Sequence, residues 1–189
     1  MPMLQVNLLS GYSSELKGRL CRALTSVIAS TIQAKPEAIS IWVNEVSPEN
    51  YCRAGESRQP GQGSHNPETM VREYLTAMEN RELTQARQYL SDDFVMTFPG
   101  SGDLTSLEQL VEWSRGRYRF VQKTISAVNV AYEMESAVVF VHGTLHGEWP
   151  DGTAFKDVRF IDRFEIRNDR LTRQDVWNDL ANAQPQSNA

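Results

Sequence analysis

Two α+β domains in one chain are what this sequence predicts: a small β-α-β unit, then a larger unit in which helices precede an antiparallel meander. Three observations carry that reading. Within residues 2–46 the apolar spacing goes from a short strand-like run to every third or fourth position and then to alternation. Residues 56–66 hold no large apolar side chain. From Arg119 onward, period-two stretches alternate with turn residues such as Pro150-Asp151-Gly152 and Asn168-Asp169. Helices first and strands afterwards is an α+β order.

Residues 2–55 form the first predicted domain. Its opening strand runs from Pro2 to Leu9 and stops at Ser10-Gly11. Ser13 and Ser14 are N-cap candidates, because a hydroxyl there can accept a free N–H of the first helical turn. Leu16, Leu20, Leu24, Val27, Ile28 and Ile32 then make one apolar stripe. Lys35-Pro36 ends the helix, since the residue before proline avoids the α region. Ala38 to Val46 alternates as a half-buried strand, Ser47–Asn50 is a turn, and Tyr51-Cys52 follows it. So short a unit buries too little surface to stand alone, so the expected partner is a second copy, a homo-oligomer, or the rest of the chain.

Residues 56–66, rich in Gly, Ser and Gln, are expected to be a flexible linker containing a solvated His65. The second domain is expected over 67–181. Asn66-Pro67 opens a helix with Val71, Tyr74, Leu75 and Met78 on its buried face. Leu83, Ala86, Tyr89 and Leu90 suggest a second helix, Ser91–Asp93 a break, Phe94–Phe98 a short strand and Pro99–Gly102 a turn. A third helix begins at Leu104 or Thr105. Four strands follow over 121–132, 137–149, 154–166 and 171–177. Residues 182–189 read as a polar tail.

Two places in the chain suggest chemistry. Removal of Met1 would leave Pro2 with a free secondary amine at the start of a rigid strand. An α-amino group titrates at about 7.7–8.0 in peptides, which suits a general base near neutrality. The bland alternative is that a small second residue merely permits Met1 removal. The other place is the strand bearing Phe160, Asp162, Phe164 and Ile166 on one face. A carboxylate among phenylalanines is unusual there, and Asp162 is the acid/base candidate of this domain. His142 and His146 share a face of the preceding strand and could join it in a His/Asp pocket. Pairing of Asp162 with Arg159, Arg163 or another buried donor is the alternative.

From Pro2 to Glu56 the chain resembles a subunit of the 4-oxalocrotonate tautomerase family. The likeness rests on Pro2, the strand ending Leu8-Leu9-Ser10-Gly11, the helix, the second strand and Ala54-Gly55-Glu56. It implies that Pro2 is a general base acting on an enol or dienol and that Tyr51 lines the pocket. It also implies two carboxylate-binding arginines, but those positions hold Tyr12 and Ser40. A phenol and a serine cannot replace two fixed guanidinium forks, which points away from a dianionic substrate. Arg53 could supply one charge or lie solvated.

Residues 67–180 resemble the nuclear transport factor 2-like superfamily and its SnoaL-like branch. The likeness rests on Tyr89 to Phe94, Phe98-Pro99-Gly100, Ile161 to Leu171 and Val176 to Asp179. It implies a cone: a curved sheet around a helix, with a deep apolar pocket serving isomerases, cyclases, dehydratases or pure binding modules. Where a ketosteroid isomerase carries its proton-shuttling aspartate, this chain has Phe98.

Other classes fit poorly. A net charge of −5 with interleaved signs gives no basic footprint for nucleic acid. No apolar run approaches the roughly 18 residues that span a bilayer, and a cytoplasmic location is expected. Cys21 and Cys52 suggest neither a metal site nor a disulfide framework. The expected function is cofactor-independent isomerisation of a small carbonyl compound by Pro2. Chemistry around Asp162 and a non-catalytic binding or oligomerisation protein are the alternatives.

Overall fold

Residues 1–183 are described by the structure, a computed structural model in which the chain divides into a unit of Met1–Ser64 and a second unit starting at His65. The polar tail expected from residue 182 lies outside the described residues from 184 on. Asn182 and Ala183 instead close a short helix.

In the first unit, β1 (Met3–Leu9) and β2 (Ser40–Val46) are parallel neighbours, with Met3 opposite Ser40 and Leu9 opposite Val46. Between them runs α1 (Ser14–Ile32). Its N-cap is Ser13, whose Oγ accepts the Leu16 N–H at 3.1 Å. Gln33 closes the helix in the left-handed conformation, and Pro36 starts a single 3₁₀ turn, so β2 begins two residues later than the alternation suggests. Beyond β2, a hairpin pairs β3 (Cys52–Arg53) with β4 (Glu56–Ser57).

Residues 56–64, expected as free linker, begin in that hairpin and continue along α1. The Gly61 N–H donates to Tyr12 Oη at 3.1 Å, and Arg19 Nη2 donates to the Ser64 carbonyl at 2.6 Å. Gly63 fits there because it has no side chain: a Cβ would come 2.2 Å from Leu16 Cδ1. Even so, no residue of this unit is buried. Met3, Val27, Ile32 and Trp42 are all exposed.

The second unit opens at His65, whose N–H donates to Asp169 Oδ1 and whose Nδ1 lies 3.1 Å from Oδ2, so this histidine is paired. Asn66 caps α2 (Pro67–Glu79) through Oδ1, which accepts the Glu68 N–H. This helix buries Met70, Val71, Tyr74, Leu75 and Ala77. The second helix, α3 (Leu83–Arg87), is shorter than its apolar spacing implies. Leu90 already belongs to β5 (Leu90–Phe98), because that strand pairs with a distant partner. β6 (Gly102–Leu104) follows, then α4 (Leu107–Ser114), which starts after Leu104 because Ser106 is its N-cap.

The strands β7 (Phe120–Tyr132), β8 (Ala137–Glu148), β9 (Ala154–Arg167) and β10 (Arg170–Asn178) form the predicted meander. A short α5 (Leu180–Ala183) ends the described chain. The sheet order is β6-β5-β10-β9-β8-β7, antiparallel except where β10 meets β5 in parallel. Register shifts in β7 and β8 are bulges, which bend strands and curve a sheet. Gly143 makes one of these approaches possible, since a Cβ there would lie 2.0 Å from the Thr124 carbonyl oxygen. Asn168 and Asp169 both have positive φ, as a two-residue hairpin of this hand requires. Inside the curve, α2 packs on the sheet, with the Tyr74 ring edge-on to Phe164 at 5.9 Å and to Phe94 at 6.4 Å.

Candidate active site

The concave side of the second unit encloses a cavity of about 770 Å³, a size that takes a small organic molecule. Its wall is mostly apolar and aromatic, including Phe98, Trp113, Trp149 and Phe160. Phe98 packs on Trp113 with ring centroids 5.4 Å apart. The position where a proton-shuttling aspartate was to be looked for is thus on the cavity wall but carries no ionisable group. Trp177 lies elsewhere and is exposed.

Asp162 is part of this wall and has no exposed surface at all. Its place follows from alternation along β9, where Phe160, Asp162, Phe164 and Ile166 all face inward. The donors are not the neighbouring arginines. Lys123 Nζ forms an ion pair with Oδ2, and Gln174 Nε2 donates to the same oxygen at 3.4 Å. Behind Gln174, Tyr74 Oη donates to its Oε1 at 3.1 Å. Burial pushes the Tyr74 phenol well above its ordinary value, and the nearby Asp162 charge adds to this, so Tyr74 is a neutral donor. Asp162 Oδ1 has no hydrogen-bond partner among the described residues. One oxygen is therefore held from two sides while the other keeps its lone pairs free, and buried carboxylate oxygens are seldom left so.

Lys123 also lies over the Phe160 ring, 4.6 Å from its centroid. Sequence reading passed over it, although Val121, Lys123 and Ile125 share one face of β7 by alternation. Gln174 had a similar signal, sharing the inward face of β10 with Val176. Arg117 and Tyr118 lie on the wall as well. Burial raises the Tyr118 phenol, against the opposing pull of Arg81 and Arg117.

His142 and His146 do not join Asp162, and the expected His/Asp pocket is corrected accordingly. Val141 stands opposite Asp162 across β8 and β9, so Val141 shares the inward face. His142 stands opposite Ile161 and is exposed, on the outer face. Neither histidine lines the cavity. Both faces of β8 carry apolar residues, Val139 and Val141 on one and Val138 and Phe140 on the other, so alternation alone could not say which one looks inward.

In the first unit, Pro2 is half-buried just ahead of β1, and its carbonyl accepts the Ser40 N–H at 3.1 Å. That bond joins two of the candidate residues. Ser40 is exposed at the start of β2. Tyr12 is half-buried, and its hydroxyl oxygen already takes the Gly61 N–H. Tyr51 and Arg53 are exposed around the start of the hairpin, with Arg53 opposite Glu56. Among the described residues, no set of three His, Cys, Asp or Glu side chains is placed to hold a metal, and no helix is long and apolar enough to cross a membrane.

Comparison with known proteins divides at the same place. A family model described as tautomerase enzyme matches residues 2–59, and one described as SnoaL-like domain matches residues 71–174. A probable tautomerase of Halalkalibacterium halodurans is 40% identical over 55 residues, which are 29% of this chain and 90% of that protein. A probable tautomerase of Streptococcus mutans is 33% identical over 61 residues, 32% of this chain and all of that protein. Among solved structures, an NTF2-like protein of unknown function from Burkholderia pseudomallei superposes with a TM-score of 0.51 at 18% identity. That match covers 61% of this chain and 92% of the other, and it shows the cone fold alone.

Proposed function

We infer the function of this chain from its membership of two families: it belongs to the tautomerases through residues 2–59 and to the SnoaL-like proteins through residues 71–174, and it is an isomerase-type enzyme. It interconverts the enol and keto forms of a small carbonyl compound without a cofactor, and Pro2 is the general base. The observation that carries this reading is the position of Pro2. It opens the segment matched by the tautomerase model, directly ahead of β1, with its carbonyl anchored by the Ser40 N–H.

Once Met1 is gone, the neutral amine takes the enol O–H proton, and the resulting ammonium returns a proton to the carbon. Both proton positions are thereby served by one nitrogen on a rigid strand. Tyr12 and Ser40 stand where two arginines would clamp a dianion, so the substrate is neutral or carries one negative charge. The absence of any buried residue in the first unit supports assembly with further copies, which would cover Met3, Trp42 and the exposed side of α1.

The test is enol-to-keto conversion of phenylpyruvate enol by two preparations of the full chain. In one, intact mass shows Met1 removed; in the other, a short extension blocks the Pro2 nitrogen. Conversion is expected only from the first, and equal rates from both would exclude Pro2 as the base.

A second reading is favoured by one specific observation, the buried and half-partnered Asp162 on the cavity wall. There Oδ1 takes a proton from a carbon or hydroxyl of a bound carbonyl compound and gives it back, while Lys123 and Gln174 fix Oδ2. Asp162→Asn keeps the shape and removes the base. It is expected to lower turnover of a cavity substrate by at least about 10²-fold with little change in KM. Unchanged turnover would leave the cavity with binding only.

A further inference from the structure

The cavity wall carries two charges of each sign, but only one opposed pair among them is in contact. They belong to Lys123, Arg117, Asp162 and Asp151. Lys123 and Asp162 are spent on each other. Asp151 belongs to the Pro150–Gly152 turn, where its carboxylate accepts the Thr153 N–H at 2.8 Å. That bond, with Arg119 nearby, holds the Asp151 carboxyl below its ordinary value. Of the two cations on the wall, Arg117 is the one with no acidic partner among the described residues.

Arg117 is nevertheless held in place. Its Nε donates to the Trp113 carbonyl at 3.2 Å, and its guanidinium lies over the Trp113 ring at 4.0 Å from the centroid. A stacked guanidinium has lost much of its rotamer freedom before any ligand arrives, and its remaining N–H groups form a fork suited to a carboxylate. Trp113 Nε1 is itself buried without an acceptor among the described residues. Trp149 and Phe160 add two further aromatic rings to the same wall.

We propose that this cavity binds a flat aromatic monocarboxylate, with the carboxylate on Arg117 and the ring system among the indole and phenyl groups within. The inference rests on the Asp162 reading only in taking this cavity as a substrate site; it concerns affinity, whereas that reading concerns turnover. It also agrees with the first unit, where the missing arginines leave room for one negative charge but not two.

The experiment is isothermal titration calorimetry of the full chain with 2-naphthoate and with its neutral isostere 2-naphthamide. The acid is expected to bind roughly tenfold or more tightly than the amide, the worth of one charge-assisted pair. Arg117→Ala should remove that advantage, weakening the acid much more than the amide. Arg117→Lys should restore part of it, since charge returns without the fork. Arg117 is exposed and outside the core, so the alanine variant is expected to fold. Equal affinity for acid and amide, an Arg117→Ala variant that binds the acid unchanged, or binding of neither probe would each overturn the proposal. A chain that binds the acid through Arg117 but turns over normally as Asp162→Asn would sink the catalytic reading and leave this one standing.

Discussion

Pro2→Ala is expected to lower kcat/KM for phenylpyruvate enol by roughly 10²- to 10⁴-fold, the range that a positioned general base contributes. The change is small for the fold. Alanine keeps the backbone carbonyl that accepts the Ser40 N–H, and no side chain of this unit is buried to begin with. What alanine loses is the ring, which makes the amine secondary and fixes the direction of its lone pair. The new primary amine spins about its N–Cα bond, and a base whose lone pair wanders gives up the advantage of its position. Stopped-flow absorbance on enol decay, corrected for the uncatalysed reaction, measures the effect. A loss smaller than about threefold would mean that another group moves the proton.

Lys123→Met should destabilise the second unit by about 3 kcal/mol, the cost of leaving a buried charge without its counterion. Asp162 keeps no exposed surface, while a quarter of the Lys123 side chain stays in water, which puts the effect at the lower end for such pairs. Gln174 offers little compensation, because its contact with Asp162 is 3.4 Å long. Methionine preserves the length and the packing on Phe160, so the loss reports charge rather than volume. Adding Asp162→Leu to the same chain should recover most of it, since removing both partners also removes the penalty. Urea denaturation followed by circular dichroism, with the slope held constant between variants, gives the two numbers. A single variant within about 1 kcal/mol of the native chain would show that water already reaches Asp162.

The parts of the fold governed by local spacing were legible in the residues. The helix beginning after Ser13 and the four long strands are examples, because period and cap chemistry are carried by near neighbours. Leu90 illustrates the opposite case. Its spacing from Leu83 and Ala86 looks helical, yet it pairs with Leu171 far along the chain, and no window around residue 90 contains that fact. The site divides in the same way. Asp162 stood out because two phenylalanines flank it on one face. Its partner Lys123 was equally placed between Val121 and Ile125, but a lysine in a strand ordinarily reads as solvated. Only the pairing of Lys123 with Leu145, and of Val141 with Asp162, sets which faces of β7 and β8 look inward.

The parallel pairing of β5 with β10 also dictates when the second unit can fold. Ser91 donates its hydroxyl to the Leu171 carbonyl across 80 residues of sequence. On a ribosome, β5 therefore waits while β7, β8 and β9 are made, with one of its edges unpaired until the last strand emerges. Hairpins between successive strands close quickly, whereas this closure must bring together distant segments and lose the corresponding loop entropy. Completion of the sheet, and with it the inward placement of Gln174 against Asp162, is the late event of synthesis. A nascent chain stalled before Arg170 would present β5 as an open, apolar strand edge, the kind of surface that chaperones hold and that unguarded chains aggregate through.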